Sequence, residues 1–199
     1  MSDPATLRFY EAAAERYAQD GDDVEQRRFL DPWLDRLLPE AHILELGCGA
    51  GRHAARMAAR GFTVDATDAA HEMVRLANLQ CGVSARRMLF DELVAEATYD
   101  AVWANACLIH VPRTLFATTL TRIRHALRPG GWHFASFKLG DGEGRDALGR
   151  LHNFPDQDWL EASYKEAGFL IHESTLFRGE GADGVIRDWL ALTVQKPSR

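Results

Sequence analysis

The feature that most constrains this chain is an apolar strand that runs directly into a glycine-rich turn and then into a helix. It occupies residues 43–55 and reads ILELGCGAGRHAA. Glycine has no Cβ, so it adopts positive φ in a tight turn and lets the backbone approach a ligand closely. The helix that follows begins with unpaired N–H groups. The run therefore predicts a loop that binds a nucleotide-like ligand.

The glycines alone are a weak signal, because many strand-to-helix turns contain glycine for steric reasons. Glu45 makes the prediction more specific. It stands at the carboxyl end of the strand, where its side chain is expected to face the ligand crevice. A carboxylate there would repel a pyrophosphate, whereas it suits a ligand that carries an ammonium group or hydroxyl groups.

This run resembles motif I of the class I (Rossmann-like) S-adenosylmethionine-dependent methyltransferases, in which an acid precedes three alternating glycines. The matching residues are Glu45, Gly47, Gly49 and Gly51. The resemblance implies that S-adenosylmethionine is the cofactor, that S-adenosylhomocysteine is the product and that the protein is a methyltransferase (EC 2.1.1.-). It also makes Cys48, inside the loop, an expected cofactor contact.

Strands and helices are predicted to alternate through the first two thirds of the chain. The expected strands are 42–46, 62–67, 86–90, 100–104 and 132–138, and the expected helices are 51–60, 71–80 and 113–127. Such alternation is typical of a parallel sheet with helices on both faces and with ligands beyond the carboxyl ends of its strands.

A helix over 156–167 and two strands over 169–177 and 186–195 are predicted to follow, the strands forming an antiparallel hairpin. The family resemblance implies the same ending. The predicted fold is therefore α/β: a three-layer αβα Rossmann-like sheet of seven strands, mostly parallel, with an antiparallel last strand.

Two segments are expected to flank the site within a single domain over residues 1–199. Apolar residues at helical spacing predict N-terminal helices over 3–38, which would form a lid. Glycines among charged residues predict a mobile active-site loop over 139–155.

The composition of the chain argues against several classes of binding partner. The net charge of −6 argues against nucleic acid, because affinity for nucleic acid comes largely from basic residues. No apolar run approaches the roughly 20 residues that a membrane helix needs. The N-terminal residues lack the basic and then apolar segments of a secretory signal peptide. We therefore expect a cytoplasmic protein with no membrane partner.

The three cysteines form no CxxC pair, so no metal site is expected. Oligomeric state is left open.

Acids at the ends of the next strands are the other predicted cofactor residues. Asp68, with Ala69 beside it, is expected to hold the ribose hydroxyls at the end of the second strand. Asp65 competes for this role, but strand alternation favours a solvated charge there. Met73 matches the apolar residue that the family places near adenine, and it is equally compatible with a core position.

The resemblance also places residues after the third and fourth strands. Asp91 is expected to accept the adenine amino hydrogen bond, and Phe90 or Glu92 to line the ring; the alternative for Asp91 is a helix N-cap. Asn105 and Ala106 are expected beside the sulfonium and the methyl acceptor.

His110 and Asn105 are the predicted catalytic residues. An imidazole with an ordinary pKa near 6.5 suits proton removal from an acceptor hydroxyl, amine or thiol. The alternative for His110 is a packed structural histidine. Methyl transfer from a sulfonium asks for little acid or base catalysis, because alignment of the reactants supplies much of the rate.

The acceptor is expected to contact elements that close over the cofactor. The first helix offers Tyr17 to the cofactor, and the expected acceptor-binding residues are Tyr10, His110, Lys138, Arg145, Arg150 and Trp189. The glycine-rich run and the C-terminal strand resemble small bacterial methyltransferases of the tellurite-resistance type. The three cations suit an anionic acceptor, and the alternative is that they are solvated loop charges.

The function predicted from the sequence is methyl transfer from S-adenosylmethionine to a small-molecule acceptor, which the cations suggest to be anionic. One alternative is a nicotinamide-dependent oxidoreductase, disfavoured because Glu45 precedes the first glycine and the sheet ends in a hairpin. The other alternative is a non-catalytic module that senses the cofactor; the intact motif argues against it.

Overall fold

A seven-stranded mixed sheet forms the centre of the molecule. The computed structural model describes residues 3–19, 26–181 and 183–198. The strands of the main sheet are β1 His42–Leu46, β2 Thr63–Asp68, β3 Arg86–Arg87, β4 Tyr99–Ala104, β5 Leu127–Lys138, β8 Leu170–Glu180 and β9 Ile186–Gln195. They lie in the order β3-β2-β1-β4-β5-β9-β8, and β9 is antiparallel to both of its neighbours. The predicted fold class is confirmed.

Helices cover both faces of this sheet. They are α1 Pro4–Gln19, α2 Asp31–Leu34, α3 Arg52–Ala59, α4 His71–Cys81, α5 Arg113–Ala126 and α6 Gln157–Glu166. Successive strand residues point to opposite faces. Leu44 accordingly belongs to the core that α5 and α6 cover, and Ile43 to the core that α2 and α3 cover. Among the described residues, none of these helices is both long and apolar enough to span a membrane.

Two elements are shorter than predicted. The strand expected over 86–90 pairs only at Arg86–Arg87, because the Leu89 N–H bonds to the Glu92 carboxylate at 2.7 Å and a 3₁₀ turn begins at Phe90. The second of the N-terminal helices expected over 3–38 is α-helical only at Asp31–Leu34. A π-helical turn precedes it. After it, the backbone N–H groups bond to carbonyls three residues earlier, as in a 3₁₀ turn.

The segment predicted as a loop over 139–155 contains a second, two-stranded sheet. β6 Gly142–Arg145 and β7 Leu151–Phe154 pair antiparallel. The turn between them is organised by Asp146, whose Oδ1 accepts the N–H groups of Leu148 and Arg150, each at 3.0 Å. Sequence analysis missed this hairpin, because apolar periodicity does not reveal the turn chemistry that closes it. Its mobility stays a prediction.

Candidate active site

The glycine loop lies at the carboxyl end of β1, and its three glycines serve different purposes. All three have positive φ, at 66° for Gly47, 53° for Gly49 and 84° for Gly51. A Cβ on Gly47 would lie 2.4 Å from the Cys107 Cβ, and one on Gly51 would lie 2.8 Å from the Ala77 Cβ. A Cβ on Gly49 would meet nothing within 4 Å. The outer two glycines are thus required by packing, whereas Gly49 leaves open space above the loop.

The contrast between Gly49 and Gly82 yields a prediction. Gly82 also has positive φ, 64°, and a Cβ there also meets nothing within 4 Å, but it is the C-cap of α4 and not part of the loop. We expect Gly49→Ala and Gly82→Ala to lose a similar stability of about 1–2 kcal/mol, the cost of the left-handed conformation. Only Gly49→Ala is expected to weaken S-adenosylhomocysteine binding in calorimetry. Equal affinities in the two variants would contradict a ligand role for Gly49.

Glu45 is buried with an incompletely paired carboxylate. Its Oε1 lies 3.8 Å from Nδ1 of His53 in the first turn of α3. Oε2 is buried and has no hydrogen-bond partner among the described residues. Burial, and then the nearby charge of Asp68, raise the pKa of Glu45 to about 8. Such a group has the capacity to bind a cation.

Asp68 ties the glycine loop to the second strand. Its Oδ2 accepts the Gly49 N–H and its Oδ1 accepts the Ala70 N–H, both at 2.9 Å. Burial raises the pKa of Asp68. The Ala69 carbonyl beside it accepts from Arg87. Asp65 is partly exposed and accepts the Tyr99 hydroxyl at 2.8 Å, so its carboxylate is engaged away from the glycine loop.

The thiol of Cys48 is buried in the loop. Its backbone N–H donates to the Thr67 carbonyl at 2.8 Å, which ties the loop to β2. Burial, followed by the charges of Glu45 and Asp68, raises the pKa of this thiol far above its usual range. Cys48 therefore contributes a neutral, compact side chain.

The residues predicted near adenine are spread over different environments. Met73 is buried in an apolar cluster with Ala14 of α1. The Glu92 carboxylate turns back onto the Leu89 N–H, as described above, so it caps the local turn. Asp91 is exposed and lines a cleft together with His110. The Tyr17 side chain lies outside the described residues.

The turn after β4 is held by a serine on the neighbouring strand. Ala106 has φ of 51°, an uncommon conformation for a residue with a Cβ. Its N–H donates to Ser136 Oγ at 2.9 Å, and Ser136 Oγ donates to Asn105 Oδ1 at 2.7 Å. Sequence reasoning identified Asn105 and Ala106 but missed the role of Ser136, because the contact depends on the pairing of β4 with β5.

Both ring nitrogens of His110 are engaged. Nδ1 lies 2.7 Å from the Leu151 carbonyl, and Nε2 lies 2.8 Å from the Tyr10 hydroxyl. A carbonyl only accepts, so Nδ1 carries the hydrogen and Nε2 accepts from Tyr10. Burial, and then the neighbouring His152, lower the pKa of His110 to about 3. His110 is therefore neutral at pH 7. Its unprotonated nitrogen, Nε2, which would have to remove a proton from the acceptor, already accepts the Tyr10 hydroxyl.

Each of the three cations predicted to bind an anion is paired with a carboxylate. Arg150 is buried and contacts Asp146 at 2.6 Å, Lys138 is buried and lies 3.4 Å from Asp183, and Arg145 contacts Asp3 at 2.8 Å. Lys138 also lies 5.5 Å from the ring centroid of Trp189, which is buried. The alternative of solvated charges is thus wrong for Arg150 and Lys138, because both are buried; Arg145 is 48% exposed.

The hairpin of β6 and β7 is clasped to α1. Arg145 pairs with Asp3, the Leu151 N–H donates to Thr6 Oγ1 at 2.8 Å, and Arg150 Nη1 donates to the Tyr10 hydroxyl at 3.0 Å. The N-terminal helix and the hairpin are therefore held against each other by side-chain contacts.

Comparisons with known proteins agree with this geometry. A family profile described as "Methyltransferase domain" matches residues 43–131. The ubiquinone biosynthesis O-methyltransferase of Paraburkholderia xenovorans is 29% identical over 151 residues, which cover 68% of this chain and 63% of that protein. The chain thus spans about three fifths of the length of the first curated relatives it matches.

Solved structures show the same fold. A 1,6-didemethyltoxoflavin-N1-methyltransferase of Burkholderia thailandensis, with bound 1,6-didemethyltoxoflavin and S-adenosylhomocysteine, superposes with a TM-score of 0.68 at 25% identity, covering 96% of this chain and 88% of that one. An S-adenosylmethionine-dependent methyltransferase of Methanosarcina mazei superposes with a TM-score of 0.75 at 18% identity, covering 84% and 98%. The sheet order, the glycine loop after β1 and the acidic Glu45 before that loop together are those of a methyltransferase fold. The fold is that of the class I (Rossmann-like) S-adenosylmethionine-dependent methyltransferases, and the sequence is similar to theirs.

Proposed function

We propose that this protein transfers a methyl group from S-adenosylmethionine to a small-molecule acceptor. The observation that carries the proposal is the buried Glu45 carboxylate, whose Oε2 has no hydrogen-bond partner among the described residues. Burying such a group without a partner is costly. An ammonium group, such as that of the methionine moiety, would satisfy it.

The residues around Glu45 suit the rest of the cofactor. The open space over Gly49 admits a ligand close to the backbone. In the proposed arrangement Asp68 holds the ribose hydroxyls, Asp91 lies at the adenine end, and Asn105 and Ala106 lie beside the sulfonium. When bound, S-adenosylmethionine supplies a methyl group that its positive sulfur already activates. The protein's contribution is then chiefly alignment, which removes translational and orientational entropy.

A small-molecule acceptor is supported by what the relatives are named for. The Paraburkholderia protein is named for ubiquinone biosynthesis, and the Burkholderia structure holds 1,6-didemethyltoxoflavin. The anionic character predicted from Lys138, Arg145 and Arg150 has weaker support, since each of these cations already has a carboxylate partner. A cytoplasmic location and the tellurite-resistance subgroup stay predictions.

Two measurements test the proposed function. Calorimetry is expected to show binding of S-adenosylhomocysteine, and radiolabelled methyl from S-adenosylmethionine is expected to appear in the small-molecule fraction of a bacterial cell extract. Binding of NADH instead would favour the oxidoreductase alternative. Cofactor binding without transfer would favour the sensing module, and label confined to protein or RNA would contradict the small acceptor.

A further inference from the structure

A histidine in the first turn of α3 lies between Glu45 and the aromatic core that α2 and α3 cover. Nδ1 of this residue, His53, lies 3.2 Å from Nε1 of Trp103 on β4. The two rings meet edge to face, at 90° and with centroids 5.6 Å apart. An indole nitrogen only donates hydrogen bonds, so Nδ1 of His53 is the acceptor of this one.

This hydrogen bond fixes the tautomer of His53. A ring nitrogen that accepts carries no hydrogen, so the neutral ring holds its hydrogen on Nε2. The charged ring would carry a hydrogen on both nitrogens, but burial, and then the charge of Arg52, lower the pKa of His53 to about 4. At pH 7 Nδ1 therefore presents a lone pair and no hydrogen.

The indole of Trp103 is held by packing in the orientation that makes this bond. It is buried, stacks on Phe134 with centroids 4.0 Å apart and an angle of 9°, and packs on Trp33 at 5.0 Å. Ile43, two residues before Glu45, shares this core with Trp103, so Glu45 points to the same face of the sheet. The indole cannot turn away from His53 without disturbing the aromatic core.

Glu45 consequently faces a histidine that has no hydrogen to give it. Its Oε1 lies 3.8 Å from His53 Nδ1, beyond hydrogen-bond length, and its Oε2 is buried with no hydrogen-bond partner among the described residues. Asp68, the other buried acid beside the loop, differs from Glu45 because it receives the N–H groups of Gly49 and Ala70.

The ionisable groups around Glu45 favour its protonated form. The charge of Asp68, at the end of β2, raises the pKa of Glu45. The thiols of Cys48 in the glycine loop and of Cys107 after β4 are neutral, because burial raises the pKa of both. The first turn of α3 contributes the neutral ring of His53. The carboxyl group of the free protein therefore keeps its proton at pH 7.

We propose that His53 is a positioning residue for the cofactor: Trp103 locks it in the tautomer that offers Glu45 no hydrogen, so this carboxyl group stays available for the ammonium group of S-adenosylmethionine. This rests on the proposed function. A histidine with its hydrogen on Nδ1 would donate to Glu45 after a small approach, and the ammonium group would have to compete with it. With the hydrogen on Nε2, Glu45 releases its own proton to solvent only when the ammonium group binds.

Trp103→Phe tests the proposal in the full-length protein, because it removes the indole N–H and keeps an aromatic ring against Phe134. Nδ1 of His53 is then free to carry the hydrogen and donate to Glu45. In the unaltered protein, calorimetry is expected to show S-adenosylhomocysteine affinity rising by up to about tenfold per pH unit between pH 6 and 8, since one proton is released. In Trp103→Phe we expect a rise below about threefold per unit, because Glu45 is already ionised.

Trp33→Phe is the matched control. Trp33 belongs to the same aromatic cluster, and its buried Nε1 has no hydrogen-bond partner within the described part of the chain, so the same loss of volume removes no hydrogen bond. We expect it to keep the pH dependence of the unaltered protein. If Trp103→Phe does not fold, His53→Gln is the second test variant. Its amide oxygen accepts from Trp103 and its amide nitrogen donates to Glu45, so the pH dependence is expected to flatten likewise.

A nitrogen-detected NMR spectrum of the cofactor-free protein supplies a readout independent of binding. At pH 7 we expect His53 as the Nε2–H tautomer in the unaltered protein and as the Nδ1–H tautomer in Trp103→Phe. An Nδ1–H or charged His53 in the unaltered protein would overturn the proposal. So would an equal pH dependence of affinity in the folded test variant and the unaltered protein, with the proposed function left standing. If the unaltered protein binds no S-adenosylhomocysteine, the proposed function fails and this proposal falls with it.

Discussion

Replacing Glu45 with glutamine is expected to weaken S-adenosylhomocysteine binding by about 10–150-fold. Hydrogen bonds to charged groups contribute ~1.5–3 kcal/mol, and the amide of glutamine retains the shape of Glu45 without its charge. The unaltered protein must also release the Glu45 proton to bind an ammonium group below the pKa of about 8. Its affinity should therefore rise with pH up to that value, relative to Glu45→Gln, and calorimetry across this range measures the difference.

The same substitution is expected to stabilise the free protein. Folding raises the pKa of Glu45 from 4.5 to about 8, so between these values the folded state holds a proton that the unfolded chain has released. The free energy of unfolding then falls as pH rises through this range and is constant outside it. Glutamine does not titrate, so the Glu45→Gln variant does not lose this free energy of unfolding as the pH rises. At pH above 8 the variant should be more stable by on the order of a few kcal/mol, measured by urea unfolding.

Asp65→Asn is the matched control for both effects. It makes the same carboxylate-to-amide change on the adjacent strand, where Asp65 is partly exposed and bonds to Tyr99. We expect no change in affinity from it. If Glu45→Gln bound as tightly as the unaltered protein, Glu45 would not contact the cofactor; if it were less stable at high pH, the carboxylate would be structurally required.

Replacing Arg150 with alanine is expected to cost about 3–5 kcal/mol of stability, measured by chemical denaturation. The substitution leaves the Asp146 carboxylate buried without its cation, which is the costly way to break a buried ion pair. It also removes the donor to the Tyr10 hydroxyl, so the clasp between α1 and the hairpin weakens.

Arg145→Ala provides the comparison, because Arg145 is about half exposed and pairs with Asp3 at the surface. We expect little change in its unfolding midpoint, as is usual for exposed pairs. A double variant that also carries Asp146→Asn should recover part of the loss of Arg150→Ala, since no buried charge then remains. Additive losses would show that the pair does not couple energetically.

Local sequence signals were sufficient to predict the fold class. The alternation of apolar runs with helical patterns predicts a parallel sheet, because consecutive parallel strands need helical crossovers. Glu45 and the glycines lie within seven residues of one another, and backbone geometry alone brings them together. The antiparallel end of the sheet followed from two consecutive strands joined by a turn.

The acceptor side could not be predicted in the same way. Arg150 and Asp146 stand in a glycine-rich, charged stretch, where solvated charges are the ordinary interpretation, and only the closed hairpin turn buries them. The Tyr10 hydroxyl bonds to His110 Nε2 across 100 residues of sequence. The sequence around His110 therefore could not reveal that this nitrogen has a partner. Asp146 and His152 were missed because they meet within a hairpin turn that apolar periodicity does not reveal. Asp183 was missed because it meets Lys138 across 45 residues of sequence.

The clasp between the first helix and the hairpin has a consequence for how such proteins diversify. Its contacts join residues up to 145 positions apart, and none of them falls inside residues 43–131, which match the methyltransferase family. Substitutions at the two flanks of the chain can therefore alter these contacts without touching the segment that carries Glu45 and the glycine loop. Variation of the clasp and retention of the loop are physically independent in this architecture.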